Sequence, residues 1–285
     1  MKYLIYKGTG GLVHMLNGLQ NAILLAKKEN RILIIDTINT GAFKQTFNTY
    51  FHLYDEEIKY ICSYDDIQEE NKNDLIFEGI YIDDIQKSGT RLIDGKYYLA
   101  NTKICIQETR GMKNKKLRVY AGYYPDFIKN LKLNNDILES IYEKTHPFID
   151  TYKKYISVHF RNTDMKNNIQ LFVEKIRTAY QKTNIKNIFL ATDDYQALDH
   201  FKHSLPTLHF FTLFNVPNCE GKNIHYHYHD KKELVLHTLF DLYMIGKSSF
   251  FIPSINSGLS KWVIYQKEHI SDNIFDEHFD FNVMK

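Results

Sequence analysis

Apolar and polar positions alternate in two different rhythms from the first residues onward. Lys2–Lys7 (KYLIYK) reads as a short buried strand, and Gly8, Gly10 and Gly11 follow it as a turn. Leu12, Met15, Leu16, Leu19, Ile23 and Ala26 then recur at three- and four-residue spacing, the period of a helix with one buried face. Lys27 and Lys28 fall in its last turn, where the helix dipole favours positive charge. Arg31–Asp36 (RILIID) predicts a second strand. Strand, glycine turn, helix and strand in this order specify a parallel pair joined by a right-handed crossover.

The rhythm weakens over residues 40–150. YLANTKICIQ predicts a strand, and Asn134–Lys144 a helix that stops before His146-Pro147, since proline lacks the amide that a continuing helix needs. A domain boundary is therefore expected near Pro147, dividing the chain into 1–148 and 149–285. Beyond it the pattern sharpens. Strands are predicted at Tyr155–Phe160, Asn187–Ala191, Leu208–Leu213, Asn223–His229 and Ser249–Pro253. Helices are predicted at Asn168–Lys182, Tyr195–Ser204, Lys231–Ile245 and Ser257–Lys267. For Lys231–Ile245 the inward set is Leu234, Thr238, Leu239, Leu242 and Ile245. Strand and helix alternate, the signature of a doubly wound α/β fold.

A chain of 285 residues holds one large or two modest α/β domains, each with its own core. Its 36 basic and 34 acidic side chains nearly cancel, which argues against a nucleic-acid partner but leaves room for a local phosphate pocket. Cys62, Cys105 and Cys219 are scattered, without metal or redox spacing, and read as free thiols in a reducing compartment. The apolar start is too short for a signal peptide and no run of about 18 apolar residues occurs. A cytoplasmic protein is expected, with association at the inner face of a membrane left open. Oligomeric state leaves no mark in the sequence.

In open parallel sheets, ligands sit at the carboxyl ends of strands, so the residues after each strand carry the candidate chemistry. Arg161-Asn162-Thr163-Asp164 follow the strand that holds His159. Arg161 is permanently charged and planar, suited to phosphate, or to a salt bridge with Asp164. His159 lies two residues earlier and shares its side of the strand. Asp164 either orients Arg161 or closes the loop. Asp193 and Asp194 follow the next strand, able to meet a base or ribose or to cap the following helix. Ser254, Asn256, Ser257 and Gly258 open another helix, where free amides favour anions and where an ordinary cap is the alternative. Gly10 and Gly11 precede the first helix as a weak phosphate-loop outline, and His14 lies on its first turn. His225, His227 and His229 share one strand face, inviting a metal; an aromatic-rich strand with a polar face is the favoured reading, and no metal site is expected.

His159-Phe160-Arg161-Asn162-Thr163-Asp164 resembles the H-x-R-x-x-D motif of the inverting fucosyltransferase superfamily, which includes bacterial α1,2-, nodulation, core α1,6- and protein O-fucosyltransferases. Phe189–Asp194, Asp241–Ser260 and Gly10–Leu19 resemble its other motifs in order. The resemblance implies a GT-B fold, two Rossmann-like domains with parallel sheets facing a cleft. It implies an acceptor-side N-terminal domain and a C-terminal domain that holds a GDP-sugar, with fucose the expected sugar. The GDP-sugar is a co-substrate and no cofactor or metal is implied. Arg161 would neutralise the leaving diphosphate, His159 and Asp193 or Asp194 would contact the nucleotide, and Ser257 or its neighbours the β-phosphate. The partners would be the nucleotide-sugar donor and a carbohydrate acceptor, in bacterial surface polysaccharide synthesis. Val13, His14 and Asn162 depart from the pattern, where a glycine, an asparagine and a second arginine are usual. The base is His14 or Asp36, or an ion-pair mechanism needs none. Another nucleotide-sugar donor, a non-catalytic nucleotide-binding protein, and a metal-dependent hydrolase built on His225–His229 are the alternatives.

Overall fold

In the computed structural model, the described residues are 3–7, 11–38, 43–62, 76–78, 80–82, 90–93, 96–99, 105–107, 129–163, 166–218, 224, 230–269 and 273–284. They form two compact units, Met1–Asn134 and Asn135–Lys285.

The first unit opens as its sequence predicts. Strand β1 (Tyr3–Lys7), helix α1 (Leu12–Glu29) and strand β2 (Ile32–Ile35) make a parallel crossover unit. Helix α1 stops at Asn30, whose left-handed backbone (φ 50°) turns its amide onto the carbonyls of Ala26 and Lys27. The Tyr6 hydroxyl donates to the Met15 carbonyl at 2.5 Å. A Cβ at position 18 would lie 2.4 Å from that hydroxyl oxygen, so Gly18 lets the phenol reach the helix backbone.

The remaining strands are β3 (Phe51–Leu53), β4 (Tyr60–Ile61), β5 (Ile76–Glu78), β6 (Ile80–Ile82), β7 (Thr90–Ile93), β8 (Lys96–Leu99), β9 (Cys105–Gln107) and β10 (Leu131–Leu133). A parallel sheet runs β4-β2-β1-β6. Strand β10 pairs antiparallel with β3, and β5-β9-β8-β7 form a sheet of mixed direction. The segment YLANTKICIQ does hold strand residues. Its two ends belong to β8 and β9, which pair antiparallel with Tyr98 opposite Cys105.

The second unit alternates helix and strand: α2 (Asn135–Tyr152), β11 (Ile156–Phe160), α3 (Ile169–Thr183), β12 (Asn187–Thr192), α4 (Ala197–Ser204), β13 (His209–Phe211), α5 (Lys231–Gly246), β14 (Phe250–Ile252), α6 (Gly258–His269) and β15 (Asn282–Val283). Every pair in its sheet, ordered β13-β12-β11-β14-β15, is parallel. Ile156, Val158 and Phe160 of β11 pack with Phe172 and Ile176 of α3, Leu190 of β12 and Phe201 of α4. Each such side chain contributes about 1.5–3 kcal/mol of burial. The Asn168 side chain caps α3, accepting from the amides of Gln170 and Leu171.

Helix α2 does not stop before Pro147; it runs on to Tyr152. The unit boundary at 134/135 accordingly lies at the start of this helix, upstream of the proline. The missing amide costs about 3 kcal/mol. It falls on an exposed position, and the aromatic stripe beyond it offsets the loss. Phe148 and Tyr152 both stack on Phe211, with ring centroids 6.0 and 4.0 Å away.

Helix α5 also buries more than one stripe. Leu239, Leu242 and Ile245 are buried as expected, but so are Val235, Phe240, Tyr243, Met244 and Gly246, while Leu234 and Thr238 are half-buried. The helix packs against both α2 and the sheet, so more than one side is covered. Gly246 lies under the Phe279 ring, and a Cβ there would come within 2.3 Å of it. Among the described residues no helix is long and apolar enough to cross a membrane.

Candidate functional site

The strand order of the second unit fixes where a crevice opens. From β11 the chain steps outward to β12 and β13, then α5 carries it back to β14 on the other side of β11. The carboxyl ends of β11 and β14 therefore diverge into connections leaving in opposite directions, the place where parallel sheets bind ligands.

The residues at that point are cross-linked. The Ser254 hydroxyl, just after β14, donates to the His159 carbonyl at 2.7 Å and accepts from the Arg161 amide at 3.1 Å. It joins the ends of the two strands. Period-two alternation places Ile156, Val158 and Phe160 in the core and Ser157, His159 and Arg161 on the other side of β11. His159 is buried, its Nδ1 2.7 Å from Ser260 Oγ on α6. Burial, and then the Arg161 charge, push its imidazole down to about 3, so the ring is neutral at any physiological pH.

The loop after β11 is braced from β12. Asp193 Oδ1 accepts the Asn162 amide at 2.7 Å, and its Oδ2 accepts the Thr163 hydroxyl at 2.6 Å. Arg161 Nε lies 3.8 Å from Asp193 Oδ2. Asp194 Oδ2 accepts from the Asn162 side-chain amide at 2.7 Å, while its Oδ1 accepts from the Gln196 amide at 3.0 Å. Thr192 completes the join by donating to the Phe160 carbonyl at 2.6 Å. Asn162, standing where a second arginine is usual in the resembled motif, thus ties the loop to Asp194.

At the start of α6 the Ser257 hydroxyl is buried and has no hydrogen-bond partner among the described residues. Its amide donates to the Ser254 carbonyl at 2.9 Å. The first-turn amides of a helix have no carbonyl one turn back to accept them. A cation, a neutral imidazole, a spare buried hydroxyl and a helix N-terminus therefore stand at the joined ends of β11 and β14, a combination suited to a diphosphate.

The fold is that of known fucosyltransferases. The chain matches the crystal structure of fucosyltransferase NodZ from Bradyrhizobium with a TM-score of 0.52 at 18% identity, over 92% of each chain. It matches NodZ alpha-1,6-fucosyltransferase co-crystallised with GDP equally well, over 92% of this chain and 91% of that one. It matches POFUT1 in complex with GDP-fucose with a TM-score of 0.60 at 11% identity, over 99% of this chain and 97% of that one. No protein-family model and no curated protein matches the sequence.

The second unit brings His159, Arg161, Asp193, Asp194, Ser254 and Ser257 together, with Gly258 opening α6 and Asn256 exposed beside it. Asp164, Gly10, His225, His227 and His229 lie outside the described residues, as does the strand expected at Asn223–His229 apart from Ile224, whose backbone is helical. Gly11, His14 and Asp36 belong to the first unit. Gly11 is the residue before α1, His14 is exposed on its first turn, and Asp36 is buried after β2. Among the described residues no three His, Cys, Asp or Glu side chains are placed to hold a metal.

Thr163 and Ser260 join the site through Asp193 and His159 respectively. Ser260 was detectable: it stands three residues after Ser257, one helical turn along the same side. Asp241 interrupts an apolar run on α5, between the buried Phe240 and Leu242, and makes no hydrogen bond among the described residues. Loss of hydration pushes its carboxyl from 3.8 up to about 8. The folded chain thus holds this proton more tightly than the unfolded chain. The contribution of this one group to stability is full below about pH 4 and is lost as pH rises through the window to about 8. Asp241→Asn is expected to remove that contribution to the slope and to raise Tm at neutral pH. Thermal melts of both proteins between these limits check it.

Proposed function

We propose that the chain is an inverting glycosyltransferase that moves a sugar, fucose in the first instance, from a GDP-sugar to a glycan acceptor. One observation supports the reading: Ser254 ties the end of the strand that carries His159 and Arg161 to the segment opening α6, where the buried Ser257 hydroxyl has no partner among the described residues. The GDP and GDP-fucose complexes of proteins with the same fold support it.

In this reading the second unit is the donor domain and the first the acceptor side, the two making a GT-B pair about a cleft. The acceptor hydroxyl oxygen attacks the anomeric carbon while the bond to the β-phosphate oxygen breaks. The electron pair leaves with GDP, and the hydroxyl proton passes to a base. Arg161 faces the charge that grows on the diphosphate, where a fixed cation lowers the barrier most. Ser257 Oγ and the first amides of α6 take further phosphate oxygens. His14, which is exposed, and Asp36, which is buried, are the base candidates, and an ion-pair mechanism needs neither. No step calls for a metal. The acceptor belongs to surface polysaccharide synthesis, performed at the inner face of the membrane.

A thermal-shift panel of GDP-, UDP-, ADP- and CMP-sugars tests the donor. The GDP-sugar alone is expected to raise Tm, and incubation with acceptor glycans is expected to release GDP. A larger shift with any other nucleotide removes the GDP assignment. A GDP shift with neither transfer nor hydrolysis favours a nucleotide-binding protein over an enzyme.

A further inference from the structure

The hydroxyls of Ser140, Thr145, Thr178, Thr183 and Thr238 all turn back on their own helices and donate to the carbonyl four residues earlier. This is the ordinary fate of a helical hydroxyl. Ser260 does otherwise. It is fully buried, and its only hydrogen bond among the described residues is the 2.7 Å contact with His159 Nδ1.

Two arrangements of the shared hydrogen are open, and their costs differ. If Nδ1 donated, the Ser260 hydroxyl hydrogen would be buried without an acceptor, a loss of about 1–3 kcal/mol. If Ser260 donates, both groups are satisfied, and the single hydrogen of the neutral ring sits on Nε2. A doubly protonated ring is disfavoured by burial and by the neighbouring guanidinium.

We propose that Ser260 is a positioning residue: it fixes His159 as the Nε2–H tautomer, so that the imidazole offers a neutral hydrogen-bond donor to a diphosphate oxygen beside Arg161. This rests on the reading of the switch point as the diphosphate site. A donor set in advance needs no reorientation when charge develops on the leaving group.

Ring-nitrogen NMR of histidine-labelled protein, without ligand and near neutral pH, is expected to show Nε2 protonated and Nδ1 bare at His159. Ser260→Ala is expected to lose this fixed pattern and to bind GDP about 10-fold more weakly by calorimetry, about 1.4 kcal/mol. Ser260→Thr, which keeps the hydroxyl, is expected to restore both. A protonated Nδ1 in the unsubstituted protein overturns the proposal. So does a Ser260→Ala protein whose ring nitrogens and GDP affinity are unchanged. If the tautomer is as stated but GDP gives no heat with the unsubstituted protein, the Ser260–His159 pair stands and the diphosphate reading falls.

Discussion

Arg161→Ala is expected to abolish the rise in Tm that GDP produces and to lower sugar transfer by roughly a thousand-fold. The guanidinium stands at the end of β11 with its side chain 25% exposed, buried enough to act in a reduced dielectric and open enough to meet a ligand. Its backbone is held by the Ser254 hydroxyl, so removing the side chain leaves the loop anchored. The effect should therefore appear in binding and turnover, with the ligand-free melting point little moved. Arg161→Lys is expected to recover only part of the loss, because an ammonium cannot reproduce two parallel hydrogen bonds to phosphate. Equal GDP stabilisation of wild type and Arg161→Ala would falsify the placement of the diphosphate.

Asp193→Ala is the second large effect, and here two consequences oppose each other. Losing a carboxylate 3.8 Å from Arg161 Nε makes the site more positive, which favours an anion. A partly exposed pair of this kind is worth about 1 kcal/mol or less. Against this, the Asn162 amide and the Thr163 hydroxyl both lose their acceptor. Hydrogen bonds to a charged group are worth about 1.5–3 kcal/mol each. The loosening wins, and GDP affinity is expected to fall about 10- to 100-fold, measured by calorimetry. Tighter GDP binding by Asp193→Ala would show that charge, and not loop support, governs the site.

These residues also mark what the sequence alone discloses. The β1-α1-β2 unit, the strands around His159 and Asp193, and the helix after Ser257 follow directly from the sequence, the helices from their apolar period and the strands from short apolar runs that are buried throughout. Pro147 misled, because a local rule about amides was outweighed by Phe148 and Tyr152 stacking on Phe211, a contact made 59 to 63 residues away in sequence. Helix α5 misled for a related reason: a helix covered on several sides has no single stripe to read. Within the site, residue types announced that His159, Arg161, Asp193 and Ser257 belong together. They did not disclose the division of labour. The hydroxyl of Ser254 and the carboxylates of Asp193 and Asp194 are engaged mainly in holding backbone and loop, and only hydrogen-bond geometry reveals it. Asn162, a departure from the expected arginine, acquires a purpose once its side chain is seen on Asp194.

Gly246 and Phe279 meet so closely that neither can vary on its own. Any side chain at 246 collides with the ring unless 279 shrinks in the same lineage, and a smaller residue at 279 alone leaves a hollow over the end of α5. Evolutionary drift at these two positions must therefore be correlated, and related chains should carry either a small–large or a large–small combination, never two bulky residues.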